Sequence, residues 1–272
     1  MFQNLLYELH PLQFNQLKIN ADEVNSLILQ PSEGIFLQGL EAIPKQTSEK
    51  YPVAILLHGY TANYRRIAYI ANMLLTNGVA VILMNLRGHG RSSGKQKDVK
   101  GMQQDIDTIM KYVKSNIEYD EERILMLGIS LGALITLTSG YNHPEITHLI
   151  ALAGVSSPTD LFDGMTAFKR WRWRIIGKLG GIDIPSLIGK PPYSPKMQAQ
   201  SGNKSKRLLL LHCKNDTLVA ENNFWTNVAA FKLETENYEI YPKGAHSFFL
   251  IKYQVLKRIN VWLRKNDFYR AE

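Results

Sequence analysis

The chain of 272 residues is long enough for one large domain with a substantial core and short for two. Its 45% hydrophobic and 21% charged residues are ordinary for a globular protein, and no run approaches the ~20 apolar residues a membrane-spanning helix needs. Cys213 is the sole cysteine, which excludes an internal disulfide and a cysteine-based zinc site, while the formal net charge of +8 asks for an explanation.

In chain order, the short alternating runs Phe14–Ile19 and Gly34–Gly39 suggest antiparallel strands at a sheet edge. Val53–Leu57 reads as a buried strand, and Arg65–Asn77 as a helix closed by Gly78. Ala80–Leu86 is a strand, Val99–Asn116 a helix and Arg123–Gly128 a strand. A helix at Leu131–Gly140 follows, then strands at His148–Ala153 and Arg207–His212 and a helix at Glu221–Phe231. Tyr238–Tyr241 is the last strand. Phe249–Lys265 is the last helix, with Leu250, Val255, Ile259 and Leu263 near one face. Continuous apolar strands separated by helices imply an α/β domain whose mostly parallel central sheet is covered by helices on both faces.

Between Gly154 and Leu208 the alternation breaks, over a stretch too long for a plain loop. Leu161–Leu179 has helical spacing, and Pro185, Pro191, Pro192 and Pro195 punctuate the return. The expected organisation is a core at 1–154, a small cap insertion at 155–206 and the rest of the core at 207–272. Residues 155 to 200 hold seven Lys or Arg against three Asp, so half of the excess charge sits there. No nucleic-acid recognition motif or arginine-rich tail accompanies it, and no nucleic-acid partner is expected. A solvated basic surface, attraction to an anionic substrate and contact with a lipid surface remain as readings. The alternating aromatic and basic residues of Phe168–Arg174 fit either cap packing or a lipid interface. Residues 1–8 lack a basic region followed by an apolar core, so a cytoplasmic protein is expected.

The chemistry centres on Gly128-Ile129-Ser130-Leu131-Gly132, set between an apolar strand and a helix. That context can hold a serine on a tight turn with its hydroxyl exposed. A serine hydroxyl needs a base to take its proton and a third group to orient the base. Of the seven histidines only His246 follows the acids of the strand-to-helix loop after Arg207–His212. His212 ends a strand, where a packed residue is the plainer reading. Among the acids between them, Asp216 lies in the loop at the sheet edge, whereas Glu221 suits a helix N-terminus. Ser130, Asp216 and His246 are therefore the candidate nucleophile, orienting acid and base; separately they read as a turn residue, a helix cap and a surface residue. Negative charge built on a carbonyl oxygen needs donors already in place, and the backbone N–H groups of Tyr60 and Leu131 are the candidates. His58 reads as structural. The Arg87–Gly94 loop lacks the phosphate-binding Gly-x-x-x-x-Gly-Lys-Ser/Thr pattern, so a brace for the sheet edge is the plainer reading. Arg65 and Arg66 read as surface charges or as partners of a substrate carboxylate.

Taken together, His58-Gly59-Tyr60, Asn85–Gly94, Gly128–Gly132, Asn215–Val219 and Gly244–His246 resemble the α/β-hydrolase superfamily. Within it they resemble the serine esterase, monoacylglycerol-lipase-like and cinnamoyl-esterase-like branch. The resemblance implies the α/β-hydrolase fold and a carboxylic-ester hydrolase that forms an acyl-enzyme on a small-molecule ester, with no cofactor and no metal. Position 85 is Asn where these families usually carry Asp, a structural position. Leu131 stands where Met or Gln is common. Serine at 130 argues against dehalogenases and epoxide hydrolases of this fold. Monoacylglycerol-lipase-like, peptidase and thioesterase activities share the same triad, and oligomeric state is not legible.

Overall fold

Strand order follows from where the apolar runs can be buried on both sides. A computed structural model describes residues 17, 20–45, 50–157, 194–199 and 207–269. The eight strands are β1 (Ala21–Ser32), β2 (Ile35–Pro44), β3 (Tyr51–Leu57), β4 (Ala80–Met84), β5 (Tyr119–Ile129), β6 (His148–Leu152), β7 (Leu208–Cys213) and β8 (Tyr238–Tyr241). They form one sheet in the order β1-β2-β4-β3-β5-β6-β7-β8. β1 and β2 pair antiparallel with each other, β2 pairs antiparallel with β4, and every other pairing is parallel. The mostly parallel sheet expected from the sequence is the one observed.

Helices cover both faces. On one side lie α1 (Ala68–Thr76), entered through a 3-10 turn at Tyr64–Ile67, and α6 (Lys252–Lys265). They bury Ile70, Leu74, Val255, Ile259 and Trp262 against Ala54, Leu56, Leu125 and Leu127. On the other lie α2 (Val99–Ser115), α3 (Leu131–Ile135) and α5 (Glu221–Ala230). Their Met102, Ile106, Ile109, Leu134 and Phe224 pack on Val53, Ile55, Leu57 and Met126. Alternate residues of each central strand thus feed opposite cores, the period-2 rule applied to strands buried on both sides. α2 shows the local logic: the Asp98 side chain accepts from the Gly101 N–H at 2.9 Å, capping the helix just before its apolar stripe begins. Removing such a cap costs about 1 kcal/mol.

Four expectations need correction or placement. β1 has no counterpart among the expected strands, because Asp22, Glu23, Asn25 and Ser26 hide its period and only one of its faces is covered. Of the expected Phe14–Ile19 strand, Leu17 is helical and the other residues lie outside the described ones. The helix expected over Leu131–Gly140 is α-helical only to Ile135 and widens into a π turn at Thr136–Gly140. There the Thr136 and Thr138 hydroxyls bond back to the carbonyls of Gly132 and Leu134, competing with the regular ladder. The last helix begins at Lys252, after a 3-10 turn at Phe249–Ile251, and Leu250 is 78% exposed rather than part of the buried stripe.

Most of the expected cap, including the Leu161–Leu179 helix and the Phe168–Arg174 segment, lies outside the described residues. The two ends of that stretch meet: Lys196 N–H donates to the Ser156 carbonyl at 3.1 Å, just inside the short helix α4 (Pro195–Gln198). Ser156 is held in turn by Asn223 of α5, whose side-chain oxygen accepts from its N–H at 3.1 Å.

Candidate active site at the carboxyl edge of the sheet

Ser130 follows β5 with φ 56° and ψ −112°, a left-handed conformation that a residue with a side chain adopts only when its surroundings enforce it. The flanking glycines show what enforces it. A Cβ at Gly128 would lie 2.2 Å from the Gly132 backbone, and one at Gly132 would lie 2.3 Å from the Leu57 carbonyl oxygen. β5, α3 and β3 therefore close to a spacing no side chain permits. Ser130 N–H donates to the Leu152 carbonyl at 2.9 Å and its own carbonyl accepts from Leu134 N–H at 3.0 Å, which completes the turn.

Asp216 and His246 come from the loops after β7 and β8. His246 Nδ1 donates to Asp216 Oδ2 at 2.8 Å, which leaves Nε2 with a free lone pair. The carboxylate is fully buried, and its other oxygen accepts from the N–H groups of Leu218 and Val219 at 2.8 and 2.9 Å. Burial pushes the Asp216 carboxyl up, but the hydrogen bond and charge of His246 and the Val219 N–H outweigh it. The net position is below the usual carboxylate range. The structure thus brings Asp216 and His246 together at the same sheet edge as Ser130. No hydrogen bond joins Ser130 Oγ to His246 among the described residues. In unliganded sites such contacts are often long and tighten only with substrate.

The backbone N–H groups of Tyr60 and Leu131 have no hydrogen-bond partner among the described residues. The Tyr60 loop runs close to the serine, since a Cβ at Gly59 would stand 3.2 Å from the Ser130 Cβ. His58 is structural, as expected. It is buried, donates from Nδ1 to the Gly59 carbonyl at 2.7 Å and accepts at Nε2 from Leu86 N–H at 3.1 Å. Burial, reinforced by neighbouring His89, drives its pKa down to about 3. His212 donates from Nε2 to the Val219 carbonyl at 3.1 Å and stacks on Phe224. Its Nε2 lies 4.0 Å from Asp216, too far for a hydrogen bond, so it is the packed residue expected of a strand end.

The Arg87–Gly94 loop is a brace. Arg87 forks onto Asp105, with Nε and Nη2 at 3.0 and 2.5 Å, and reaches Asp98 at 2.9 Å. Burial pushes the Asp105 carboxyl up, against the pull of Arg87, whose own pKa the bond to Asp105 raises. Asn85 accepts from Tyr64 N–H at 3.0 Å and donates to Gln38 at 2.7 Å, the structural work expected of that position. Arg66 is exposed.

Sequence reasoning missed three contributors. Asn215 accepts from Ala245 N–H at 2.9 Å and so ties the loop carrying Asp216 to the loop carrying His246. Asp105 has a legible signal, a carboxylate on the face of α2 that also holds Met102, Ile106 and Ile109. His89 is buried against His58 and Tyr60, and its Nε2 has no partner among the described residues. Among these residues no group of three or more His, Cys, Asp or Glu is placed to hold a metal ion, and no helix is long and apolar enough to cross a membrane. A polar cavity of about 480 Å³ between α2 and the π turn, lined by Gln103, Thr138 and His143 among others, includes none of the candidate residues.

An eight-stranded, mostly parallel sheet with a serine on a strained strand-to-helix turn defines a class, and comparison with known proteins bears on it. A family model described as serine aminopeptidase, S33, matches residues 48–182. A monoacylglycerol lipase of Mycolicibacterium smegmatis is 29% identical over 139 residues, 50% of this chain and 48% of that protein. An esterase of Pyrococcus furiosus shares the fold with a TM-score of 0.69 at 21% identity, covering 89% of this chain and 91% of its own. Est1E from Butyrivibrio proteoclasticus, solved with ferulic acid, gives 0.66 at 20% identity, with coverages of 88% and 98%. The chain has the α/β-hydrolase fold. It spans about half the length of the curated relatives it matches.

Proposed function

We propose that the protein is a serine carboxylic-ester hydrolase of the cytoplasm, acting through an acyl-enzyme on small or medium acyl esters. The observation that carries this reading is the 2.8 Å bond from His246 Nδ1 to the buried Asp216. It orients an imidazole with a free Nε2 at the edge where Ser130 is held out on its turn. His246 takes the Ser130 proton as the hydroxyl oxygen attacks the ester carbonyl, while the N–H groups of Tyr60 and Leu131 receive the developing oxyanion. The imidazolium, stabilised by Asp216, gives its proton to the departing alcohol. Water, deprotonated by the same imidazole, then attacks the acyl-serine; His246 returns the proton to Ser130 and the acid is released.

A monoacylglycerol-lipase-like activity is the second reading, favoured by the relative of that name. The family model's description favours a peptidase as the third. Turnover of p-nitrophenyl acetate, butyrate and dodecanoate, a monoacylglycerol and an aminoacyl anilide separates them. Ser130→Ala is expected to lower turnover of the preferred ester by roughly 10⁴–10⁶-fold and to abolish labelling by a fluorophosphonate probe. Undiminished labelling of that variant would show that another residue is the nucleophile.

A further inference from the structure

The loop that carries His246 also turns apolar side chains outward. Gly244, Ala245 and Phe248 all have positive φ, at 135°, 52° and 54°. The last of these turns sends the Phe248 ring into the core and its successors into solvent. Phe249 is 70% exposed, Leu250 78% and Tyr253 78%. Scattered exposed apolar residues need no explanation, but three within five residues at the rim of a candidate site do.

The charge around them has one sign. No Asp or Glu occurs between Glu239 and Asp267, nor between Glu49 and Asp98. These stretches contain α6 and α1, which pack on each other. Arg258 is paired with Glu239, and Lys265 with Glu236. Arg66, Lys243, Lys252 and Lys257 are exposed and carry no ion pair among the described residues. Lys252 leans over the Tyr69 ring at 4.8 Å, which places it beside Phe249 and above the α1 surface. Lys257 follows Tyr253 by one helical turn and Arg66 precedes Tyr69 by one, so the cations flank the apolar knob.

We propose that this surface docks the protein on an anionic lipid bilayer. Phe249, Leu250 and Tyr253 enter the headgroup region, and Arg66, Lys243, Lys252 and Lys257 face the lipid phosphates. Short aromatic and aliphatic knobs framed by cations suit an interface a few ångströms deep. Three side chains fall well short of the roughly 800 Å² per partner that a stable protein interface buries. The docked surface lies against the rim that holds His246, so an ester leaving the bilayer has a short path to the site. This surface uses residues other than Phe168–Arg174 and does not depend on which substrate is hydrolysed.

The test is flotation of the full chain with phosphatidylcholine vesicles, with and without phosphatidylglycerol, at low and high salt. Wild type is expected to float with the anionic vesicles alone and to lose most of that binding at 1 M salt. Leu250→Ser with Tyr253→Ser is expected to weaken vesicle binding about tenfold or more. Lys252→Glu with Lys257→Glu is expected to weaken it about twentyfold or more, near fivefold for each lysine lost. Both pairs are expected to keep the wild-type melting temperature and turnover of dissolved p-nitrophenyl acetate. Equal flotation with neutral vesicles, no flotation, or wild-type binding by both pairs overturns the proposal. So does binding lost only on charge reversal within 169–174, or a wild-type dimer that these substitutions split. Flotation that persists in a protein without ester turnover refutes the functional reading and leaves the docking surface standing.

Discussion

The two loops that frame the candidate site are held by opposite means. Residues 85–94 are clamped by side chains: Arg87 on Asp98 and Asp105, Asn85 on Tyr64 and Gln38, Ser92 Oγ on the Asn85 carbonyl at 2.8 Å. Residues 243–249 are held mainly by backbone geometry, three positive φ angles in five residues, with Asn215 as a side-chain tether. The first loop packs behind His58 and the oxyanion candidate Tyr60. The second delivers an imidazole to a carboxylate and faces solvent. A clamp centred on the buried Arg87–Asp105 pair suits a part that must not move, and a strained turn suits a part that must project one side chain at a fixed angle.

That contrast can be broken in order of expected effect. Asp216→Asn keeps the shape of the contact but removes the charge that orients and stabilises the imidazolium. A loss of about 10⁴-fold in kcat is expected, measured on the preferred soluble ester, with little change in melting temperature. Arg87→Ala attacks the clamped loop and leaves the buried Asp105 carboxylate without its partner. Unfolding in denaturant is expected to show a loss of about 3–5 kcal/mol, the cost of breaking a buried pair from one side. If instead Arg87→Ala lowers turnover without lowering stability, the loop is part of the chemistry rather than a brace.

Gly244→Ala attacks the strained loop. At φ 135° any side chain is strained, and its Cβ would lie 2.7 Å from Cys213 Sγ and from Ile251 Cδ1. A loss of about 1–3 kcal/mol is expected, with a larger fall in kcat than in stability because the turn positions His246. Acid is expected to have the smallest effect, acting through the buried histidines. His58, His89, His148 and His212 are all buried, and burial is the leading cause that lowers each pKa from 6.5. The unfolded chain binds protons that these neutral rings refuse. Stability is therefore full above about pH 6.5 and falls as pH drops toward 3, the folded value at His58. Melting temperatures between pH 8 and pH 4 check this, and a flat profile would show that the rings take up protons without unfolding.

Much of this was legible in the chain. Apolar runs at Val53–Leu57, Ala80–Met84 and Leu208–Cys213 announce strands buried on both faces, since no other surface lets so many consecutive residues escape water. The glycines around Ser130 could be read because a Cβ at Gly128 would lie 2.2 Å from the Gly132 backbone, which leaves glycine as the one solution. β1 could not be read, because an edge strand with one wet face needs no hydrophobic period. The Leu250 error has a like cause: a left-handed turn at Phe248 reset the face on which the following residues lie, and nothing local distinguishes that turn from the start of a helix.

The sequence alone determined the class of fold and singled out Ser130, Asp216 and His246 as candidates, because strand burial and strand-to-helix turns are written in short-range patterns. Only the tertiary structure decided that Nδ1 of His246 meets Asp216 and that Asn215 couples their loops. It alone aligned two acid-free stretches, far apart in the chain, on one face around three exposed side chains. Those are relations between segments brought together by packing, and no window along the chain contains them.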